Sequence, residues 1–367
     1  AWWGLTLQLR NRLTLRRRVQ RVLAAGLFDA RWYREQNPEV LLAGAEPVAH
    51  WFTTGCEEGR YPNPLFDPVW YLKENPDVAA AGTNPLEHYL EVGAAQGRKP
   101  HPLFDGSWYL ARYPEVAEAG ENPLAHFLRH GADEARDPHP LFQSDWYRAD
   151  NPDLADTGLP PLLHYLSGGG EEGRDPNPLF DSDWYVEKYP DVGQQGLNPL
   201  AHYAESGARE GRQPHPLFDA AWYLDRNPDV AETGGDPLAH FLRCDPGERR
   251  SPHPLFDGGW YLERNPDVAE SGANALVHYL TSGAAEGRDP NPLFDTDWYL
   301  DHYRDVADAQ TNPLAHYVDR GAHEGRPPHP LFDGSWYLAQ NPDVAESGVN
   351  PLAHFLAKGA EERRDPH

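Results

Sequence analysis

A 38-residue segment repeats nine times along the chain, and this repetition constrains the fold more than any other feature. With the Phe of each Leu-Phe motif as position 0, the units start at residues 28, 66, 104, 142, 180, 218, 256, 294 and 332, without insertion or deletion. A Trp-Tyr pair at positions 4 and 5, a histidine at 22, an arginine at 32 and a proline at 34 recur in all nine units. Such a fixed period is typical of proteins whose units bury apolar surface against their neighbours.

The second unit illustrates the local structure that each unit predicts. Asp67 can cap a first helix over residues 68–74, and a proline suits the first turn of a second helix over residues 76–81. An Asn-Pro pair opens a third helix over residues 85–92, and the Pro-rich segment 97–102 should be extended. We therefore predict an all-α fold, a superhelical α-solenoid of nine 38-residue repeats, each with about three short helices and a Pro-rich connector.

Charge divides the chain into a basic start and an acidic array. Residues 1–28 contain six arginines and no acidic residue, so 26 basic and 57 acidic residues remain, a net charge of −31. That charge should repel nucleic acid and anionic lipid, so we expect no nucleic-acid partner and a membrane contact only through residues 1–27. We predict two parts: a basic N-terminal helix or cap over 1–27, and the nine-repeat solenoid over 28–367. The first part could cap the first unit, touch a membrane surface or end an upstream domain, and capping is the interpretation that we favour.

The two ends of the chain lead us to expect a longer protein. The sequence starts at Ala1, contains no methionine, and stops at position 35 of the ninth unit. We therefore expect the array to continue beyond residue 367. No stretch approaches about 20 apolar residues, so the sequence predicts no membrane-spanning helix.

The histidine at position 22 has two interpretations. We expect it to form a hydrogen bond between adjacent units, to a backbone carbonyl or an acid. The alternative is a row of metal or ligand sites, but one imidazole per unit, with neighbours about 10 Å away, cannot assemble a tetrahedral site. We therefore expect no metal and no cofactor. The residues are His50, His88, His126, His164, His202, His240, His278, His316 and His354.

The arginine at position 32 is accompanied by an acid at position 11 in every unit, from Glu39 to Asp343. We expect a partly buried bidentate pair that fixes the angle between neighbouring units, because the planar guanidinium is directional. The alternative is a ladder of arginines that grasps an anionic polysaccharide. The residues are Arg60, Arg98, Arg136, Arg174, Arg212, Arg250, Arg288, Arg326 and Arg364.

The aromatic pair at positions 4 and 5 is open to two uses, core packing and stacking against sugar rings. Adjacent residues of a helix cannot point the same way, so we expect Trp in the core and Tyr at the surface. The candidate glycan-stacking residues are then Tyr33, Tyr71, Tyr109, Tyr147, Tyr185, Tyr223, Tyr261, Tyr299 and Tyr337.

Catalytic motifs are missing from the sequence. It contains no glycine-rich phosphate loop, nucleophile elbow, HExxH or CxxC motif, and each prominent polar residue occurs nine times, whereas an active site is normally built once. We therefore predict no catalytic residue and no enzyme activity in this chain, which leaves room for a linked catalytic domain outside it. Unit six departs most, with Asp245 at the glycine of position 27, either as a local bend or as a change that the stack tolerates.

The string LFDxxWYLxxNPDVAxxGxNPLxHYLxxGxxEGRxPHPLFD extends over residues 28–367. It resembles the tandem repeats found beside glycosyltransferase domains in large bacterial proteins that build surface polysaccharide. The resemblance implies a bacterial source and a cell-surface or extracellular location, or a cytoplasmic one if the array is fused to a glycosyltransferase.

Two functions follow as expectations. The first is a non-catalytic structural repeat scaffold of the bacterial cell surface, which binds glycan or positions a linked glycosyltransferase. The alternative is a self-assembling subunit of an extracellular filament or surface layer, because a head-to-tail contact that does not close generates a filament. The expected partner is a glycan in the first case and other copies of the chain in the second.

Overall fold

The computed structural model describes the backbone of residues 2–367, and the side chains from residue 13 onward except that of residue 246. One long helix, α1 (Trp2–Ala25), precedes nine repeats of short helices. Within the described residues, the β-type pairings are isolated bridges such as that between His101 and Phe104. The predicted all-α repeat solenoid is therefore confirmed.

Each repeat has three short α-helices, close to the predicted bounds. The first helices are Ala30–Gln36, Pro68–Glu74, Gly106–Arg112, Ser144–Asp150, Ser182–Lys188, Ala220–Arg226, Gly258–Arg264, Thr296–His302 and Gly334–Gln340. The second helices are Pro38–Leu42, Pro76–Ala80, Pro114–Glu118, Leu154–Thr157, Pro190–Gln194, Pro228–Thr233, Pro266–Ser271, Arg304–Asp308 and Pro342–Ser347. The third helices are Pro47–His50, Pro85–His88, Pro123–His126, Pro161–His164, Pro199–His202, Pro237–Phe241, Ala275–His278, Pro313–His316 and Pro351–His354.

The first helix begins and ends at side chains that the sequence repeats. In the second repeat, the Oδ1 atom of Asp67 accepts hydrogen bonds from the backbone N atoms of Val69 and Trp70, each at 2.9 Å. At the other end, the Asn75 side-chain amide donates to the carbonyl of Tyr71 at 2.7 Å. A helix of two turns is unstable alone, so these caps and the packing around it must hold it in place.

The third helix widens into a π-helical turn, which the sequence did not predict. In the second repeat, the backbone N of Ala94 donates to the carbonyl of Tyr89, five residues earlier, at 2.9 Å. The turn ends at Gly93, where an added Cβ would overlap the hydroxyl of Tyr71. Only glycine fits there without a shift of the ring. The π segments are Trp51–Gly55, Tyr89–Gly93, Phe127–Gly131, Tyr165–Gly169, Tyr203–Gly207, Tyr279–Gly283, Tyr317–Gly321 and Phe355–Gly359.

Repeat six shows what happens when this glycine is replaced. Asp245 stands at position 27, the α-helix extends to Phe241, and a short 3₁₀ helix (Pro246–Glu248) follows in place of the π turn. The Tyr223 hydroxyl keeps its 2.8 Å contact with Nδ1 of His240. The backbone therefore changes course at the residue whose Cβ would otherwise meet the tyrosine.

The core of each repeat is a cluster of three aromatic rings at positions 0, 5 and 23. In the second repeat, the centroid of Phe66 lies 5.3 Å from that of Tyr71 and 5.7 Å from that of Tyr89. The two tyrosine rings meet edge to face at 6.1 Å, and all three side chains are fully buried. Edge-to-face and tilted pairs of this kind are favourable beyond the area that they bury.

The chain divides into two compact units, Ala1–Asn177 with Gly196–Glu205, and Pro178–Gln195 with Ser206–His367. Within the first unit, Nζ of Lys73 in repeat two lies 2.6 Å from Oε1 of Glu205 in repeat five. Within the second, Nε1 of Trp184 in repeat five donates to Oδ1 of Asp319 in repeat eight at 2.8 Å. In each unit, a side chain from the first helix of one repeat therefore contacts position 25 of the repeat three further along the chain. The first-helix residue stands at position 7 in the first unit and at position 4 in the second.

Candidate functional site

The tyrosine at position 5 and the histidine at position 22 meet inside a repeat and join its first and third helices. The Oη–Nδ1 distances are 2.8–3.0 Å. The pairs described are Tyr33–His50, Tyr71–His88, Tyr109–His126, Tyr147–His164, Tyr223–His240, Tyr261–His278, Tyr299–His316 and Tyr337–His354. Our expectation of a histidine bond between adjacent units is wrong for these pairs, because the partner is a hydroxyl of the same repeat.

The environment favours the neutral forms of both rings. In repeat two, burial lowers the pKa of His88, and the nearby Arg98 guanidinium lowers it further. Burial likewise raises the pKa of the Tyr71 hydroxyl. A neutral imidazole can accept a hydrogen bond from the phenol O–H at Nδ1 and keep its own proton on Nε2. The pair is thus a structural hydrogen bond between neutral groups.

The arginine at position 32 contacts the acid at position 11 of its own repeat in all nine units. The arginine side chains are 17–25% exposed. The pairs are Arg60–Glu39, Arg98–Asp77, Arg136–Glu115, Arg174–Asp153, Arg212–Asp191, Arg250–Asp229, Arg288–Asp267, Arg326–Asp305 and Arg364–Asp343. The expected role between neighbouring units is therefore wrong, since each pair closes a single repeat.

In repeat two, every nitrogen of the Arg98 guanidinium has a partner within the repeat. In repeat two, Nη1 and Nη2 of Arg98 donate to the two carboxylate oxygens of Asp77, each at 2.8 Å. Nη1 also donates to Oδ1 of Asn75 at 2.9 Å, and Nε donates to Gln96 at 2.8 Å. The hydrogen bonds from Arg98 hold the pKa of Asp77 at about 2. An arginine engaged in this way has few donors left for an anionic polysaccharide.

Position 9 supports the arginine in one of two ways, which our sequence reasoning missed. Where it is Asn, as in six repeats, its Oδ1 atom accepts a hydrogen bond from Nη1 of the arginine while its amide caps the first helix. Where it is Tyr, its ring lies under the guanidinium. The Arg–ring distances are 4.7 Å for Tyr113, 4.9 Å for Tyr189 and 4.9 Å for Tyr303. The alternation of Asn and Tyr at one position, 23 residues before an arginine, was the available signal.

The tyrosines at position 5 cannot stack against a glycan, which corrects our expectation. All nine are 0% exposed: Tyr33, Tyr71, Tyr109, Tyr147, Tyr185, Tyr223, Tyr261, Tyr299 and Tyr337. The tryptophans at position 4 are only partly buried, so the roles of the two residues are exchanged. Some of these indoles carry a cation from the next helical turn, with Lys188 4.2 Å above Trp184 and Arg226 4.3 Å above Trp222.

In the first seven repeats, position 35 holds a buried polar residue, either Asn or His, where consecutive repeats join. Oδ1 of Asn63 accepts from the backbone N of Leu65 at 2.9 Å, and its amide donates to the carbonyl of Leu27 at 2.8 Å. Nδ1 of His101 accepts from the backbone N two residues on, at 3.0 Å. Burial lowers the pKa of His101 to about 4, so this ring is neutral at pH 7.

The grooves of the second unit offer no built metal site. One of about 370 Å³ is lined by Asp181, Asp183, Trp184, Glu187 and Asp319, among others. Burial and the neighbouring carboxylates raise the pKa of Asp181. In the part of the chain that the structure describes, no group of three or more His, Cys, Asp or Glu is arranged to hold a metal ion. Nor does any helix among those residues combine the length and apolar character that crossing a membrane requires.

Comparison with known proteins assigns no function to these repeated residues. No family model, no curated protein and no solved structure matches the chain. The resemblance to repeats beside bacterial glycosyltransferases therefore stays a prediction from the repeated sequence.

Proposed function

We propose that the chain is a non-catalytic repeat scaffold of the bacterial cell surface, which binds glycan or positions a linked glycosyltransferase. The observation that supports this proposal is the use of the recurrent polar groups inside each repeat. The Tyr71 hydroxyl bonds to His88, and the Arg98 guanidinium is surrounded by its own acceptors. Groups engaged in this way hold helices together and are not available to activate a substrate.

The glycan-binding part of the proposal rests on the tryptophans of position 4. Their indole rings recur every 38 residues and are partly exposed in each repeat. A flat aromatic face with a polar edge can pack against the apolar face of a sugar ring while its N–H bonds to a hydroxyl. Trp336 of the last repeat is the best candidate in the second unit, whereas the ring of Trp298 is already stacked on His302, with the two ring centroids 3.9 Å apart.

Retention on immobilised polysaccharides tests this part. We expect Trp336→Ala to shorten retention of the full chain on a neutral or anionic polysaccharide column, whereas Trp298→Ala, which removes a ring already stacked on His302, should not. Trp184→Ala is the matched control, because the Nε1 atom of Trp184 is already bonded to Asp319. If the wild-type chain is not retained, or if all three variants elute together, glycan binding by these indoles is refuted.

The positioning part requires a stiff array. Spin labels in the second helices of repeats seven and nine, within one unit, should then give a single narrow distance distribution. A broad distribution would contradict a positioning role, because a flexible array cannot fix the distance to a linked domain.

A self-assembling subunit of a filament or surface layer is a second candidate, and one observation favours it. Repeats three apart already bind each other, through Lys73–Glu205 in the first unit and Trp184–Asp319 in the second. A chain with two such complementary faces has the chemistry to bind another copy. Light scattering over a hundredfold concentration range tests this candidate: growing mass supports it, and constant mass contradicts it.

A further inference from the structure

Helix α1 covers the third helices of the first repeats. Nη2 of Arg18 lies 2.7 Å from Oε2 of Glu87, and Arg21 pairs with Glu91. The Arg18 guanidinium also lies 4.6 Å above the ring of Phe52, and Val22 is fully buried. The end of α1 thus rests on repeats one and two through charge and through apolar contact.

The residues that α1 contacts occupy a particular place in the repeat. Glu91 stands at position 25 of repeat two, as Glu205 does in repeat five and Asp319 in repeat eight. Glu205 and Asp319 receive a donor from the first helix of the repeat three before, whereas Glu91 receives one from α1. Helix α1 therefore occupies the face that an earlier repeat covers further along the chain.

The amino-acid sequence carries the same period of three repeats. In each group of three consecutive repeats, position 31 is Gly in the first two and a larger residue in the third. In the same groups, position 35 is Asn in the first repeat and His in the other two. Position 23 ends each triplet with Phe. The position-31 residues are Gly59, Gly97, Ala135, Gly173, Gly211, Arg249, Gly287, Gly325 and Arg363. The position-35 residues are Asn63, His101, His139, Asn177, His215, His253, Asn291, His329 and His367.

Local geometry is consistent with this longer period. The backbone at position 31 has a positive φ in every repeat, between 50° and 76°, but only the third repeat of each triplet places a side chain there. Ala135, Arg249 and Arg363 therefore carry the backbone strain at an interval of three repeats. The three position-35 asparagines each donate to a leucine carbonyl 36 residues earlier at 2.8 Å. Two independent positions thus behave alike at an interval of three repeats.

Position 35 also lines the grooves between repeats that are two or three apart. In the second unit, His253 of repeat six lines a groove of about 530 Å³ together with Val318 of repeat eight and Val344 of repeat nine. Asn291 of repeat seven lines one of about 540 Å³ with Trp222 of repeat six and Leu356 of repeat nine. The residues that follow the triplet pattern therefore include those at which distant repeats approach each other.

We propose that the array is built from blocks of three repeats, each 114 residues long. The block, and not the single 38-residue repeat, determines which repeats of the chain bind each other. Repeat two binds repeat five, and repeat five binds repeat eight, through positions 4, 7 and 25, and α1 takes the place of a preceding block at repeat two. The interaction surface is the face at positions 21–25 of each third helix. Its partner is the first helix of the preceding block, or α1.

Cross-linking of the full chain tests the pairing. With Cys56 and Cys244 changed to Ala, Lys73→Cys and Glu205→Cys should be joined by a bifunctional maleimide of about 10 Å reach. The matched control pairs Lys73→Cys with Ser167→Cys, which places the second cysteine at position 25 of repeat four instead of repeat five. Equal cross-linking of both pairs, or cross-linking of the control alone, would overturn the proposal.

Exchange of whole repeats tests the block length at constant composition. Exchanging residues 142–179 with 256–293 puts repeats four and seven in equivalent places of their blocks, and we expect the urea midpoint to be retained. Exchanging residues 256–293 with 294–331 puts repeats seven and eight in unequal places, and we expect the midpoint to fall. Equal effects of the two exchanges, including failure of both proteins to fold, would refute a three-repeat unit.

Discussion

The glycine at position 27 gives the sharpest prediction about stability. In repeat two, a Cβ on Gly93 would overlap the Tyr71 hydroxyl, which lies 2.8 Å from Nδ1 of His88. Gly93→Ala must therefore displace the tyrosine from its hydrogen bond and from its packed position. The buried hydrogen bond contributes about 1 kcal/mol, and forcing an extra methyl group into a packed core costs about 1–3 kcal/mol.

A smaller term acts in the opposite direction. Gly93 is helical, so alanine gains about 1 kcal/mol of helix propensity there, and the net destabilisation becomes about 2 kcal/mol. Gly82→Ala is the matched control, because Gly82 has a φ of +62° and open space around its missing Cβ. That change costs about 1 kcal/mol, from the left-handed backbone alone.

The assay is urea unfolding followed by tryptophan fluorescence, together with hydrogen exchange of the amides of repeat two, because a repeat array need not unfold in one step. We expect a lower midpoint for Gly93→Ala than for Gly82→Ala, with faster exchange confined to repeat two and its neighbours. Adding Tyr71→Phe to Gly93→Ala should recover part of the loss, since the colliding hydroxyl is gone. A Gly93→Ala protein as stable as Gly82→Ala, or one that Tyr71→Phe further destabilises, would refute the reasoning.

Three further predictions follow from buried or paired groups. The folded-state pKa of His101 is depressed to about 4, so stability should fall as pH drops from about 6.5 to 4, and His101→Asn, which copies Asn63, should remove that component of the pH profile. The pKa of Asp77 is depressed to about 2, so its contribution should be lost between about pH 4 and 2, and Asp77→Asn should flatten that part of an acid titration followed by circular dichroism. Tyr89→Phe should keep or raise the urea midpoint, because this buried hydroxyl has no hydrogen-bond partner among the described residues, whereas Tyr279→Phe should lower it by up to about 1 kcal/mol. The reverse order of the two tyrosine variants would contradict this account of position 23.

The amino-acid sequence predicted the helices well because their ends are marked by local chemistry. The first helix of repeat two lies at the predicted 68–74, with Asp67 at its start, since capping depends on neighbours within three residues. The third helix was predicted as regular over 85–92, yet it becomes π-helical after His88. That change depends on a tyrosine hydroxyl contributed by another helix, which local patterns do not encode.

The candidate residues were identified, but their partners were assigned to the wrong repeat. A nearly exact repeat gives Arg98 the choice between Asp77 in its own unit and the equivalent acid of the next unit, and spacing alone cannot separate the two. The orientation of Tyr71 and Trp70 failed for a related reason: adjacent positions differ in burial only through contacts made by distant helices. The three-repeat pairing depends on contacts between separate repeats, such as Lys73–Glu205, which the sequence of a single repeat does not encode.

The central claim is that each recurrent arginine stabilises its own repeat and does not bind a ligand. The most direct measurement compares the double variant Arg136→Ala, Arg174→Ala with Arg31→Ala, whose side chain is 90% exposed, for both urea midpoint and retention on an immobilised anionic polysaccharide. We expect the double variant to have a clearly lower midpoint than Arg31→Ala and the same retention as the wild-type chain. An unchanged midpoint together with lost retention would show instead that the arginines form a ligand-binding ladder.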